Sequence, residues 1–520
     1  MNVEKRRILI IGGYGTFGGR VAQLLADDER AILLIAGRSK TSAEQFCARH
    51  RRKAEMTPCT FDRTGDLAAQ LAALSPDIVL DAAGPFQSYG ADPYALVRAV
   101  VAQGAHYLDL ADASDFVRGI AQFDNSARAR GVSVLSGVSS FPVLNAAVVR
   151  AMLKPGDIPL EMSGGIVPSP HAEIGPNVMR AVASYAGKTI SITREGSTGE
   201  ALALIETRDM TVATPGALPV GRKRFTLVDV PELVLFRDLW PGVRDVWVGV
   251  GMSPQWLQRM LNVVARLVRH RLLPSILPFA PLMLRVQALL ARGEHRGGMV
   301  IRVRGDNRET GPFARSWHMT AEGDDGPMVP SMPAAIIIAR VLEGTPPNPG
   351  ARAALQELEL PAYDRTFEPR RIRYGFRDDM AGAHGPLYRR VLACAFESLS
   401  PALQAMHDRQ GDKIACGVAQ IDRGVGLLSR IAAAIVGFPP GGRGVPVKVS
   451  FVVSNGVEIW QRDFGGRKFQ SAQREGTGRN AGLITEAFGP ASFGLAYEIT
   501  GGRGNLVLRK WQFMGVPMPM

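Results

Sequence analysis

Ile8-Leu9-Ile10-Ile11-Gly12-Gly13-Tyr14-Gly15-Thr16-Phe17-Gly18 is the stretch that decides the fold of this 520-residue chain. Four consecutive large aliphatic residues read as a strand covered on both faces, as in a parallel sheet. The glycines follow at once, and Val21, Leu24 and Leu25 then recur at helical spacing over 20–25. Gly13, Gly15 and Gly18 satisfy G-x-G-x-x-G, while Gly12, Gly15 and Gly18 satisfy the looser G-x-x-G-x-x-G. In either spacing, a side chain would block the turn or hold a diphosphate away from the backbone N–H groups. The positive end of the helix then faces the phosphates. The stretch therefore predicts a dinucleotide contacted by Gly12, Gly13, Tyr14, Gly15, Thr16, Phe17 and Gly18. The bland alternative is a glycine-rich turn with no ligand.

A second apolar strand, 32–35, runs into Ala36-Gly37-Arg38-Ser39. NAD-specific sites place an acidic residue here to accept from the ribose hydroxyls. A guanidinium and a hydroxyl suit a 2′-phosphate instead, so NADP(H) is expected over NAD(H), with Arg38 and Ser39 on the extra phosphate. Asp62, Ala83, Gly84, Pro85 and Phe86 complete the expected cofactor set. Helices over 67–74, 94–102 and 123–130 alternate with strands over 77–83, 106–110 and 132–135. That alternation predicts a Rossmann-type, doubly wound parallel sheet. Its ligands sit beyond the strand C-termini, where Gly84-Pro85-Phe86 and 109–112 fall.

Bulk composition narrows the classes. Lys and Arg total 61 against 48 Asp and Glu, a net charge of +13. The arginines are scattered and aromatics are only 7%, so no basic stripe with stacking rings points to nucleic acid. Anionic cofactors, an anionic membrane surface or a merely arginine-rich background composition remain, the last being the bland reading. Cys47, Cys59, Cys394 and Cys416 form no Cys-x-x-Cys pair and no disulfide framework. The first apolar run stops after four residues, too short for a signal peptide. A reducing cytoplasm is the expected compartment.

Gly12-Gly13-Tyr14-Gly15-Thr16-Phe17-Gly18, Ala36-Gly37-Arg38, Ala82-Ala83-Gly84-Pro85-Phe86, Tyr107-Leu108-Asp109-Leu110 and Ser136-Gly137-Val138-Ser139-Ser140-Phe141-Pro142 carry a resemblance. Over residues 5–150 the chain resembles the saccharopine dehydrogenase-like reductases. A weaker likeness runs to residue 360 through Gly326-Pro327 and a helix over 334–342. The resemblance implies an NAD(P)-dependent oxidoreductase acting on a C–N bond, or a homologue with another substrate. It also implies a second, mixed α/β domain, an active cleft between the two, and a late return of the chain to the first domain. The expected limits are 1–145 for the dinucleotide domain with a return near 330–360, 146–330 for the second, 331–380 for return helix and linker, and 381–520 for the last. One departure bears on the substrate. Saccharopine reductases carry an Asp-Pro-Gly element near positions 140–145, where this chain has Phe141-Pro142-Val143-Leu144-Asn145.

Beyond residue 150, His171 and Glu173 precede a helix starting near Asn177 and offer an acid/base pair or a polar loop. Asp109, Asp112, His171 and Tyr107 are the proton-donor candidates. No His, Cys, Asp or Glu set has metal-ligand spacing, so no metal is expected. Over 256–271, Trp256, Met260, Val264, Leu267 and Val268 form one stripe, with Arg259, Arg266 and Arg269 off it. The apolar run 272–290 holds Pro274, Pro278 and Pro281, which excludes a spanning helix. This region reads as a core helix pair, a homodimer face or a peripheral membrane contact over 256–290.

The tail reads as α+β. A charged linker is expected over 370–380, a helix over 387–403, another over 427–435, and strands over 445–453, 457–464, 493–499 and 506–513. Turns fall at Asn455-Gly456, Gly465-Gly466 and Gly501-Gly502. Trp460-x-Arg462-x-Phe464, Arg467-x-Phe469, Arg509-x-Trp511 and Gly515-Val516-Pro517-Met518-Pro519 resemble a domain family found fused to such reductases. Three functions follow: an NADP(H)-dependent oxidoreductase on a small C=N or C=O substrate, a non-catalytic NADP(H) sensor or scaffold, and a membrane-associated reductase of a lipid-like molecule.

Overall fold

β1 (Arg6–Ile11) lies inside a seven-stranded sheet, and its last four residues are buried. In the computed structural model the described residues are 5–173, 175–279, 283, 285, 286, 289, 291–323, 325–380, 385–408, 413–423, 426, 439–454 and 457–518. After β1 come α1 (Thr16–Leu25), β2 (Ala31–Gly37), α2 (Lys40–Arg49), β3 (Glu55–Thr60), α3 (Leu67–Leu74), β4 (Ile78–Asp81) and α4 (Ala95–Gln103). Then follow β5 (His106–Asp109), α5 (Ser114–Gly119), α6 (Asp124–Arg130), β6 (Ser133–Ser136) and α7 (Asn145–Met152). The strand order is β6-β5-β4-β1-β2-β3, with Gly350–Ala353 added outside β6, and these pairings are all parallel. The order in which strands are added reverses between β1 and β4, so the crevice at their C-terminal ends is the ligand position of an open α/β sheet. Leu9, Ile11, Leu34, Val79, Tyr107 and Val134 anchor one core beneath that crevice. Each such buried aliphatic contributes about 1.5–3 kcal/mol. β3 carries Pro58 and sits at the sheet's edge, where the missing N–H breaks no ladder.

The chain divides into two compact units: 1–208 with 224–312 and 321–372, and 209–223 with 313–320 and 373–520. The first holds the parallel sheet and a mixed lobe. In that lobe β7 (Asp157–Val167) pairs parallel with Asp245–Gly251 and antiparallel with Arg296–Asn307. The second unit holds an eight-stranded antiparallel sheet whose successive strands are neighbours, from Lys413–Ile421 to Val516–Met518. Leu387, Tyr388, Leu392 and Phe396 pack on Ile484 and Tyr497 of that sheet.

Three expectations need correction. Residues 370–380 are not a linker, because Ile372–Asp378 is a strand. The helix over 387–403 is two short ones, Leu387–Leu392 and Pro401–His407. Ala393 between them has a positive φ of 46°, which no α-helix accepts, and Pro401 cannot continue a preceding helix. Arg467–Glu475 and Ile484–Phe488 are further strands. The helix expected over 427–435 and the turn Asn455-Gly456 lie outside the described residues.

α7 begins with Asn145, whose Nδ2 donates to Glu232 Oε1 at 2.8 Å in the interior. Burial pushes the Glu232 carboxyl up to about 8. Unfolded, it ionises near pH ~4.3. The folded value is the raised one, so the stability it confers is complete below about pH 4 and falls as pH rises towards 8. Glu232→Gln should remove that slope. Its melting temperature, relative to the parent, should climb steadily between about pH 5 and the Glu232 value near 8. A difference independent of pH would contradict this.

Candidate functional site

Three glycines of the first loop have no room for a side chain. A Cβ on Gly12 would lie 2.8 Å from the Ala82 carbonyl oxygen, on Gly13 2.7 Å from that of Ile10, and on Gly18 2.5 Å from that of Gly12. Gly12 also has φ +79°. The loop amides are largely committed. Gly12 and Gly13 both donate to the Ala36 carbonyl, at 2.8 and 3.0 Å, and Gly15 donates to that of Gly12 at 2.9 Å. What the loop can offer an anion is therefore the amides at the start of α1, which have no preceding helical turn to pair with, and the Thr16 hydroxyl beside them.

The β2 end is built by Tyr14. Its ring fills the space over Gly37, and its hydroxyl accepts from the Ser39 amide at 3.0 Å. Ser39 Oγ in turn accepts the Ser42 amide at 3.2 Å and caps α2. Arg38 and Lys40 are exposed on either side. Lys40, which sequence reasoning passed over, adds a second cation where the 2′-phosphate is expected. Asp62 is exposed, accepts from the Thr64 amide and hydroxyl at 2.9 and 2.7 Å, and feels Arg38; all three hold its carboxyl below the usual range.

At the β4 end, Gly84–Pro85 is a cis peptide. Phe86 is buried against Tyr89 and Phe116, with ring centres 4.7 and 5.1 Å away, and so forms a wall behind the crevice. The carbonyls of Ala83 and Gly84 accept from Asn177 Nδ2 at 3.3 and 2.9 Å. Asn177 belongs to α8 (Pro176–Ser184), whose cap Gly175 sits directly on Thr16 Oγ1. Arg20 Nη2 reaches the Glu173 carbonyl at 3.4 Å. Glu173 and Gly175 thus meet α1, and Asn177 meets the β4 loop.

The carboxylates fall into two groups. Asp81 and Asp109 are register partners at the ends of β4 and β5 and fully buried. Asp109 Oδ1 accepts from Ala111 N, Ser136 Oγ and Gly137 N at 3.0, 3.0 and 2.8 Å, while Oδ2 has no partner. Burial pushes this carboxyl up to about 7. Asp81 meets Arg63 at 3.2 Å, and the buried Tyr107 lies beside both acids. Tyr107 and Asp109 are therefore beneath the floor, holding loops in place. Asp112 and Asp229 are only partly buried. Asp112 accepts from Gln87 Nε2 at 3.1 Å, and Asp229 from Ser114 Oγ at 2.6 Å. Burial pushes Asp229 up to about 6, and Asp112 repels it further. Tyr185 is buried next to both. Asp229 was not singled out from sequence; the one signal was a lone acid inside Leu227-Val228-Asp229-Val230.

His171 and Glu173 do not form a pair. The His171 ring stacks on His295 at 3.7 Å and its Nε2 faces the Gly293 carbonyl, while the Glu173 charge lies by Arg20. Among the described residues no group of three or more His, Cys, Asp or Glu could hold a metal.

Residues 8–135 match the family described as Saccharopine dehydrogenase NADP binding domain. This part of the chain is similar to that family's nicotinamide-dinucleotide domain. Among solved structures, the chain is similar to apo saccharopine dehydrogenase (L-Glu forming) from Saccharomyces cerevisiae, with 13% identity, 71% of this chain and 99% of that one covered, and a TM-score of 0.50. That likeness shows a shared fold. A dehydrogenase from Thermus thermophilus, in complex with NAD and alpha-ketoglutarate, matches at 13% identity over 70% of this chain and 95% of its own, with a TM-score of 0.30. No curated protein sequence matches. The chain thus carries the cofactor domain of NAD(P)-dependent oxidoreductases, with a nicotinamide dinucleotide as ligand.

Gly18→Ala tests the cradle of this domain. Its Cβ would fall 2.5 Å from the Gly12 oxygen and must displace the loop. Losing one charge-assisted contact costs about 1.5–3 kcal/mol, so NADPH should bind at least about tenfold more weakly by fluorescence titration. Unchanged affinity in a folded variant would refute the assignment.

Proposed function

We propose that the chain is an NADP(H)-dependent oxidoreductase acting at a C=N or C=O carbon of a small substrate. The start of α1, held by the glycine loop at the sheet's reversal point, carries this reading, because its unpaired amides and positive end suit a diphosphate there. Arg38, Ser39 and Lys40 at the β2 end supply two cations and a capped helix start for the 2′-phosphate, and no carboxylate stands at 38–40. When bound, the cofactor supplies or accepts the hydride.

The chain's own residues orient and protonate. Asn177 holds the β4 loop, and Phe86 walls it. Asp229, with Ser114 on one oxygen and Asp112 near by, carries a proton at ordinary pH more readily than an exposed carboxyl does. We assign it as the proton donor in the reducing direction. The lack of an Asp-Pro-Gly element at 140–145 sets the substrate apart from saccharopine's zwitterionic end.

Two measurements test this. Arg38→Ala should weaken NADPH about tenfold and leave NADH almost unchanged, since one exposed charged contact is at stake. Equal loss for both cofactors would refute the 2′-phosphate assignment. With a substrate in hand, kcat for reduction should fall as pH rises through the Asp229 value of about 6. Asp229→Asn should cost about 100-fold or more in kcat, flatten that profile, and leave NADPH affinity intact. A variant keeping the parent's pH profile would exclude Asp229.

A further inference from the structure

The helix Gln255–Arg269 is inside out. Gln258, Asn262 and Ala265 are its buried residues, at 1%, 4% and 0% exposure. Asn262 Nδ2 donates to the Leu204 carbonyl at 2.7 Å and to Thr226 Oγ1 at 2.9 Å, and Gln258 Nε2 donates to the same hydroxyl. These polar anchors fix which face points inward. The opposite face carries Trp256, Met260 and Val263 at 46%, 54% and 52% exposure, an i, i+4, i+7 row. Of the three readings left open for this stripe, the one that turns Trp256 and Met260 to the core does not hold: amphipathicity shows that a stripe exists, and the Thr226 and Leu204 contacts decide its direction.

The row continues beyond the helix in Leu272, 70% exposed, and Phe279, 53% exposed. Arg259, Arg266, Arg269 and Arg271 border it and are exposed. From residue 246 to residue 293 the sequence contains six arginines and not one Asp or Glu. A tryptophan and aliphatic ridge flanked by unopposed arginines is the composition of a segment lying in a lipid headgroup layer. A second copy of the chain fits poorly. A two-fold contact would set this patch against itself, arginine to arginine, with no acid in the segment to pair them. Among the described residues no helix is long and apolar enough to cross a membrane, so contact would be along the surface.

We propose that this face docks the protein on an anionic phospholipid surface. Trp256, Met260 and Val263 enter the headgroup–acyl boundary, and Arg259 and Arg266 meet lipid phosphates. The inference does not depend on the redox reading.

The test is co-sedimentation of the full chain with phosphatidylcholine vesicles, with and without phosphatidylglycerol. Binding is expected only with phosphatidylglycerol, and high salt should weaken it. Arg259→Ala with Arg266→Ala should reduce partitioning about fivefold per arginine. Trp256→Ser with Met260→Ser should abolish it, with the thermal midpoint unchanged because both side chains are exposed. No sedimentation with anionic vesicles, or equal sedimentation of parent and variants, overturns the proposal. So does a dimer that the serine variant converts to monomer without any vesicle binding, which would assign the face to a second copy.

Discussion

The Gly12 carbonyl oxygen is the point on which the dinucleotide site turns. It accepts the Gly15 amide at 2.9 Å and is the nearest atom to the missing Cβ of Gly15 and of Gly18, at 3.0 and 2.5 Å. The first turn of α1 is thereby clamped onto the end of β1, and its amides open onto the crevice. The other side of the loop is tied to β2, since Gly12 and Gly13 both donate to Ala36. One short loop thus ties the start of α1 to the ends of both β1 and β2, and a methyl group at Gly18 would strain that tie.

Buried carboxylates are tolerated in this unit by two different compensations. Asp81 and Asp109 lose hydration almost completely and recover it from fixed donors: Arg63 and the Tyr89 hydroxyl for one, two amides and a serine for the other. Such donors hold the β4 and β5 loops rigid. Asp112 and Asp229 have one side-chain donor each and keep some solvent contact. The Asp112 charge adds to the burial that raises the Asp229 carboxyl.

Much of this was legible because it is local. Ile8 to Gly18 holds strand, turn and helix in one uninterrupted run, and Arg38-Ser39 follows β2 directly. Asp229 and Asn177 were not legible as site residues, for their partners Ser114 and Gly84 lie far away in sequence and meet only through the tertiary fold. Ile372, Tyr374 and Phe376 alternate as a strand should, but the surrounding Arg370, Arg371, Arg373 and Arg377 masked the pattern. Asp109 was read at a strand's C-terminal end, and β5 ends there. Its depth, and that of Tyr107, depends on neighbouring strands, which no single segment reveals.

Residues beside the glycine loop are held differently. Gly175 lies on Thr16, and among the described residues Arg20 reaches the Glu173 carbonyl at 3.4 Å and Asn177 Nδ2 donates to two carbonyls at 2.9 and 3.3 Å. A segment held by a handful of partly exposed hydrogen bonds opens at small cost compared with global unfolding. The glycine cradle beneath it cannot move, being packed backbone to backbone. The glycine loop is thus held by backbone packing and the residues beside it by side-chain contacts. Asn177 links the two, since the carbonyls that it holds, those of Ala83 and Gly84, belong to the β4 loop.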